Sequence, residues 1–135
     1  MDNKLRSVDL RVQVYQRDFG VCALCGCDTE LTHEVFRKAQ GHLQEAVGFR
    51  ALRQWRDLVA LAGFDARRST WWEADHKHPL SEGGSHELGN LRTLCIPCHR
   101  RETANLRKRL AKTERQRRKR PRKKYQYYQL SRLNE

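Results

Sequence analysis

The order of apolar and polar positions predicts helices in the first half of the chain and a strand, loop, strand and helix in the second. In residues 5–18 the apolar side chains mix helical with alternating spacing, and Phe19-Gly20 ends the pattern, which favours a helix. Residues 31–62 are rich in helix formers, and five apolar residues there recur at intervals of three or four: Leu52, Trp55, Leu58, Val59 and Ala62. We predict one or two amphipathic helices in this segment.

Glycines predict breaks and a cap in this helical segment, and its histidines are given no functional role. Gly41 and Gly48 are candidate breaks, and Gly63 is a candidate C-cap because glycine tolerates the left-handed conformation there. His33 and His42 are expected to be ordinary core or exposed side chains.

The second half of the chain contains the signals of two short strands and a long helix. Residues 71–76 are aromatic and alternating in character, and Pro79 ends this strand. A flexible loop at residues 81–85 precedes three leucines that lead into Cys95. From Pro97 the sequence is strongly helical up to Pro121.

Composition limits the size of the core and the location of the protein. With 135 residues, 38% hydrophobic and 33% charged, the chain fits one small domain without a large apolar core, so a cross-link is expected. No apolar stretch approaches the ~18 residues of a membrane span, and the N-terminus lacks a signal peptide's apolar region. We expect no membrane contact, and a cytoplasmic location in bacteria or phage-infected cells or a nuclear one in a eukaryote.

Positive charge is concentrated in one segment near the C-terminus. Residues 100–124 hold 14 of the 28 Lys and Arg residues but only two of the 16 acidic ones, and the rest of the chain is balanced. Such a block predicts an arm that binds nucleic acid, with a solvated tail as the alternative. The candidate DNA contacts are Arg100, Arg101, Arg107, Lys108, Arg115, Arg118 and Lys119. We expect a domain at residues 1–106, with a helical insert at about 28–68, and a basic extension at 107–135.

The cysteines predict a structural metal ion. Cys22-x-x-Cys25 and Cys95-x-x-Cys98 supply four thiolates in two pairs, the arrangement that one tetrahedral Zn2+ takes. A redox-active thiol pair is the alternative, and it is less favoured because both pairs occur together. Cys27 is expected to be a free thiol, although it could replace Cys25 as a ligand. The free energy of zinc binding is on the order of 10 to 16 kcal/mol in small peptides, which is enough to decide whether a domain with little core folds.

The candidate catalytic residues for phosphodiester hydrolysis are Asp75, His76 and His99. Such a reaction needs an activated water and a Lewis acid on the scissile phosphate. A histidine with a near-neutral pKa suits the first task, while a carboxylate and an imidazole can hold a divalent ion for the second. Neighbours on a strand normally point to opposite faces, so Asp75 and His76 share a site only if the strand bends, which Pro79 favours.

Two segments around these residues resemble the HNH endonuclease family: Glu73-x-Asp75-His76-x-x-Pro79-Leu80-x-x-Gly83-Gly84 and Asn90-Leu91-x-x-Leu94-Cys95-x-x-Cys98-His99. We therefore expect an α+β protein, a small ββα-metal (treble-clef-like) domain with a structural zinc, a helical insert and a basic C-terminal helical extension. The insert is similar to that in the HNH domain of a fork-remodelling annealing helicase. Free-standing HNH proteins of bacteria and phages resemble this chain in length.

The resemblance also implies a role for each residue of the motif. His76 would be the general base, and Asp75 and His99 would hold a catalytic divalent ion, either Mg2+ or another of Mn2+, Ni2+ and Zn2+. Asn90 would brace the loop and orient His76. His78 either assists the metal or a phosphate or is a surface side chain. His86 is expected to be structural or exposed.

The expected function is metal-dependent hydrolysis of DNA, and one base with one ion predicts the nicking of single strands. The alternatives are a non-catalytic zinc-finger module that binds nucleic acid and an accessory subunit that docks a packaging or replication motor. If Trp55 packs inside the insert, the insert is a scaffold, whereas an exposed apolar stripe would indicate a partner surface. A monomer or weak dimer is expected.

Overall fold

The computed structural model describes residues 7–46 and 48–119. Within them the elements are α1 (Ser7–Asp18), α2 (Thr29–Ala46), α3 (Phe49–Leu61), β1 (Trp72–His76), β2 (Leu91–Cys95) and α4 (Ile96–Lys119). Short 3-10 turns lie at Leu80–Glu82 and Leu88–Asn90. The predicted α+β class and the order strand, loop, strand and helix are confirmed. None of these helices, over the described residues, is long and apolar enough to cross a membrane.

The chain divides into two units, one ending at Arg101 and the other beginning at Glu102. The predicted domain boundary near residue 106 stays a prediction. The predicted end of the last helix at Pro121 lies outside the described residues, which stop at Lys119.

The insert is a pair of helices that separates at Gly48. Gly48 has a φ of 77° and is the N-cap of α3. Gly41, the other candidate break, lies inside α2, because one glycine costs a helix only about 1 kcal/mol and core contacts outweigh it. Gly63, with a φ of 86°, follows the C-cap Ala62, and its N–H bonds the Ala60 carbonyl at 2.9 Å.

An aromatic cluster forms the core of the insert. Trp71 is 2% exposed and lies 4.9 Å from Phe36 and 4.5 Å from Phe64, measured between ring centroids. Its indole N–H donates to the carbonyl of Asp65 at 3.0 Å. Trp55 is half-buried and stacks on Phe36 with 6.0 Å between centroids. Trp55 thus packs inside the insert, whereas Leu58 of the same stripe is 58% exposed, and the docking of a partner stays a prediction.

The two strands form an antiparallel hairpin that carries the motif residues. Its register places Asp75 opposite Arg92 and His76 opposite Leu91. The ladder therefore continues through His76 without the bend that Pro79 was expected to favour, since the N–H of Lys77 also donates to the carbonyl of Asn90 at 2.8 Å. Burial lowers the pKa of His76, and the Asp75 carboxylate is still close enough to oppose that shift.

Helix α1 and the first cysteine turn both dock on the middle of β2. Val14 is fully buried and packs in one cluster with Leu91. The N–H of Thr93 donates to the Asp18 carboxylate at 2.8 Å. The carbonyl of Thr93 accepts the N–H of Ala23 at 2.9 Å. Because a buried backbone group without a partner is costly, this arrangement fixes α1 and the cysteine turn to the same strand.

Candidate metal centre and active site

The four predicted zinc ligands converge on one point. Cys22 and Cys25 lie on a tight turn that Gly26 closes with a φ of 71° and a hydrogen bond of 2.9 Å to the Cys22 carbonyl. Cys95 ends β2, and Cys98 lies in the first turn of α4. All four Sγ atoms lie within 4.8 Å of one another, and those of Cys25 and Cys95 are 3.6 Å apart. A tetrahedron of thiolates about 2.3 Å from Zn2+ has edges of about 3.8 Å, so the geometry fits zinc.

Within the quartet the thiol pKa values are shifted in opposite directions. Burial raises the pKa of Cys95 and of Cys98. Burial also acts to raise the pKa of Cys22, but hydrogen bonds from the backbone around Cys95 and Cys25 outweigh it and lower that pKa to about 6. A bound Zn2+ would remove this conflict, because a coordinated thiol is deprotonated.

Cys27 does not belong to the quartet, although it packs against the cluster that contains Cys22, Cys95 and Cys98. Its Sγ is 3.4 Å from the hydroxyl of Thr32, and its carbonyl accepts the N–H of Cys22 at 2.8 Å. The group of cysteines that can hold one ion does not include it. The structure therefore agrees with the prediction that Cys27 is a free thiol.

The side chain of Asn90 ties down the loop after β1. Its Oδ1 accepts the N–H of His78 at 2.9 Å, and its Nδ2 donates to the carbonyls of His78 and Ser85 at 2.9 and 2.7 Å. An asparagine can make all of these bonds at once because it offers both an acceptor and two donors. The expected brace is present, and it acts on the loop backbone.

Gly84 lets this loop close. A Cβ at this position would lie 1.9 Å from the carbonyl oxygen of His78. The N–H of Gly84 donates to the carbonyl of Pro79 at 3.0 Å. Since the obstacle is backbone that Asn90 already holds, the clash has no cheap relief.

Replacing Gly84 with alanine is therefore expected to lower the free energy of unfolding by about 1 to 3 kcal/mol, as overpacking usually does. Urea denaturation followed by circular dichroism measures this change. Gly89→Ala is the matched control, because a Cβ there meets nothing within 4 Å. Equal unfolding midpoints for the two variants would contradict this account of the loop.

His76 contacts His86, for which the sequence predicted only a structural or exposed position. Its Nε2 lies 3.0 Å from Nδ1 of His86, and the two ring centroids are 5.2 Å apart. Burial lowers the pKa of His76, the charge of His86 lowers it further, and the Asp75 carboxylate opposes both. The imidazole is thus held in its neutral form near pH 7, as a proton acceptor must be.

Asp75 is engaged by Arg92 across the hairpin. The guanidinium donates from Nε at 3.1 Å and from Nη2 at 3.0 Å, and both bonds go to Oδ2 of Asp75. Each side chain is 17% exposed, so the pair is well shielded from water. His99 is half-buried in the first turn of α4, beside Cys98. Among the described residues, the Cys quartet is the one group of three or more His, Cys, Asp or Glu side chains close enough to share an ion.

Comparison with known proteins agrees with the fold and motif. Residues 63–105 match the HNH endonuclease family. The crystal structure of the human ZRANB3 HNH domain superposes with a TM-score of 0.55 and 25% identity, over 81% of this chain and 96% of that one. The chain carries an HNH domain.

Sequence relatives point to the same domain. The DNA annealing helicase and endonuclease ZRANB3 of Mus musculus is 32% identical over 102 residues, which are 70% of this chain and 9% of that protein. The Bos taurus protein of the same name is 30% identical over 114 residues, 79% of this chain and 10% of that protein. The chain therefore spans about a tenth of the length of these relatives, and the resemblance to the HNH domain of an annealing helicase is confirmed.

Two cations predicted to touch DNA have partners within the HNH domain itself. Arg100 donates to the carbonyl of Gly63 at 2.8 Å, beside the end of α3. Arg101 donates to the Sγ of Cys98 at 3.6 Å. Both partners lie within the HNH domain, and the predicted DNA contacts of these two residues stay a prediction.

The unit that begins at Glu102 carries the other predicted DNA contacts on an exposed stretch of α4. Arg117 and Arg118 pair with Glu114 at 3.0 and 2.9 Å. Arg107 is exposed. Four further cations recur at intervals of four, three and four and so share one helix face: Lys108, Lys112, Arg115 and Lys119. Within residues 102–119 no acidic side chain pairs with these four, which we call the cationic stripe.

Proposed function

We propose that this chain is a metal-dependent endonuclease that hydrolyses phosphodiester bonds of DNA. The observation that carries the proposal is the position of His76, which ends β1 inside the matched HNH segment and faces a loop locked by Asn90. Its lowered pKa suits a general base. The names of the two mammalian relatives include the word endonuclease, which supports the same interpretation.

In this proposal His76 takes the proton of the attacking water, and Asp75 and His99 hold the divalent ion. The bonds that Arg92 donates to Asp75 both go to Oδ2, so Oδ1 is the proposed ligand atom. Two protein ligands are enough for an ion such as Mg2+, which keeps several waters and binds substrate phosphate. Mn2+, Ni2+ or Zn2+ could take the same place. An ion there would neutralise charge on the scissile phosphate. With one base and one ion, we expect one strand to be cut at a time.

The test is the conversion of supercoiled plasmid to nicked circles by the zinc-loaded protein with added Mg2+, Mn2+ or Ni2+. His76→Ala is expected to slow nicking about 100-fold or more, because a general base typically contributes at least that much. His42→Ala is the matched control, since His42 is exposed on α2. Equal rates for the two variants would overturn the assignment of His76.

A second candidate is a zinc-stabilised module that binds nucleic acid without cutting it. The shielded pair of Asp75 with Arg92 favours this reading, because the guanidinium already neutralises the proposed metal ligand. Such a module would bind DNA and leave plasmid intact with all three metals. Nicking by the wild-type protein that disappears in His76→Ala would exclude it.

A further inference from the structure

The contact between His76 and His86 joins the end of β1 to the loop before the second 3-10 turn. The two nitrogen atoms are 3.0 Å apart, which is an ordinary hydrogen-bond distance. His86 is exposed and does not belong to any of the apolar clusters of the described residues. A side chain placed there for packing alone would be buried, so its position calls for another explanation.

Asn90 connects the backbones on both sides of this contact. Its side chain bonds the carbonyl of Ser85, the residue just before His86, at 2.7 Å. Its carbonyl accepts the N–H of Lys77, the residue just after His76, at 2.8 Å. Each histidine is therefore one residue away from an atom fixed by Asn90, and their approach follows from the hairpin and the loop together.

We infer that His86 is a positioning residue for His76, fixing its ring and its tautomer by accepting a hydrogen bond. The inference rests on the proposed function of His76 as general base. Since Nε2 of His76 is engaged by His86, the nitrogen left to accept a proton from water is Nδ1. Nδ1 must then be unprotonated, so the neutral ring carries its hydrogen on Nε2 and donates it to Nδ1 of His86. Asn90 acts on His76 in part through this contact.

The tautomer can be read directly by NMR. In the zinc-loaded full chain labelled with 15N, at a pH where the imidazoles are neutral, we expect His76 to show the pattern of a single Nε2–H tautomer. In His86→Ala the pattern should move towards a mixture of the two tautomers. His86→Asn should keep the wild-type pattern, because an asparagine oxygen can occupy the place of the Nδ1 acceptor. His42→Ala, with its histidine on α2, should leave the His76 signals unchanged.

Plasmid nicking gives an independent readout. Loss of one hydrogen bond that orients the base predicts a kcat about 10-fold lower in His86→Ala with KM for DNA little changed. His86→Asn should recover most of this loss. Removing a phosphate contact would instead raise KM.

Unchanged His76 signals in His86→Ala would overturn the inference, whatever the effect on cleavage. A rise in KM without a fall in kcat would also overturn it. If the wild-type protein cuts no plasmid with any of the three metals, the proposed function fails, while the NMR comparison still decides whether His86 fixes the His76 ring.

Discussion

Cys95→Ser is expected to abolish zinc binding and cooperative unfolding of the unit that ends at Arg101. The Sγ of Cys95 belongs to the quartet whose atoms lie within 4.8 Å of one another, and Cys95 packs in one cluster with Leu94. Zinc coordination contributes on the order of 10 to 16 kcal/mol in small peptides, whereas a whole domain is stable by about 5 to 15 kcal/mol. Loss of one ligand is therefore expected to remove as much free energy as keeps the whole domain folded. Metal content by mass spectrometry and thermal unfolding by circular dichroism measure the two effects.

Cys27→Ser is the matched control for this experiment. Cys27 follows Cys22 and Cys25 closely in sequence, but its Sγ pairs with the hydroxyl of Thr32 and is not one of the four ligand atoms. We expect this variant to bind one zinc per chain and to unfold near the wild-type temperature. A strong chelator should remove the cooperative transition from both the wild-type protein and this variant. A Cys95→Ser protein that keeps its zinc and a sharp transition would contradict the prediction.

The metal centre was predictable because its information is local. Each half of the quartet is a Cys-x-x-Cys pair, and a thiolate has few other roles at that spacing. The two ligand pairs flank an insert, and the spacing alone did not show how its helices divide. Gly48 separates them since its φ of 77° suits glycine, whereas Gly41 adopts ordinary helical geometry inside α2. The sequence predicted a break at both glycines, and only Gly48 lies between the two helices of the folded insert.

The partners of the motif residues were not predictable in the same way. Arg92 pairs with Asp75 because the register of the hairpin places the two residues opposite each other. That register depends on the length and closure of the loop between the strands. His86 reaches His76 because Gly84 allows the loop to approach the His78 carbonyl. The sequence marks His86 as a loop residue and gives no distance to β1. Both contacts bear on the candidate site, since one changes the charge near the proposed metal ligand Asp75 and the other engages one nitrogen of the proposed base His76.

The second large effect is expected on DNA affinity when the cationic stripe is neutralised. Lys108, Lys112, Arg115 and Lys119 span about 16 Å along one face of α4, since a helix rises about 1.5 Å per residue. If each meets one phosphate, changing all four to glutamine should reduce the slope of log affinity against log salt by about 3.6. At about 0.1 M salt this corresponds to a loss of about 4,000-fold in affinity. Fluorescence anisotropy of a labelled duplex, over a range of salt and without added divalent ions, measures both quantities in the full chain.

Net charge alone would also weaken binding, so the control must remove four positive charges elsewhere. The exposed cations Arg37, Lys38, Arg50 and Arg53 lie on α2 and α3, and their change to glutamine gives the same net charge. This control should change the salt slope by less than about 1, because long-range attraction without phosphate contact releases few counterions. Equal losses of affinity and slope in the two quadruple variants would show that the stripe is no more than a solvated face. A large loss confined to the stripe variant would place the DNA backbone along α4.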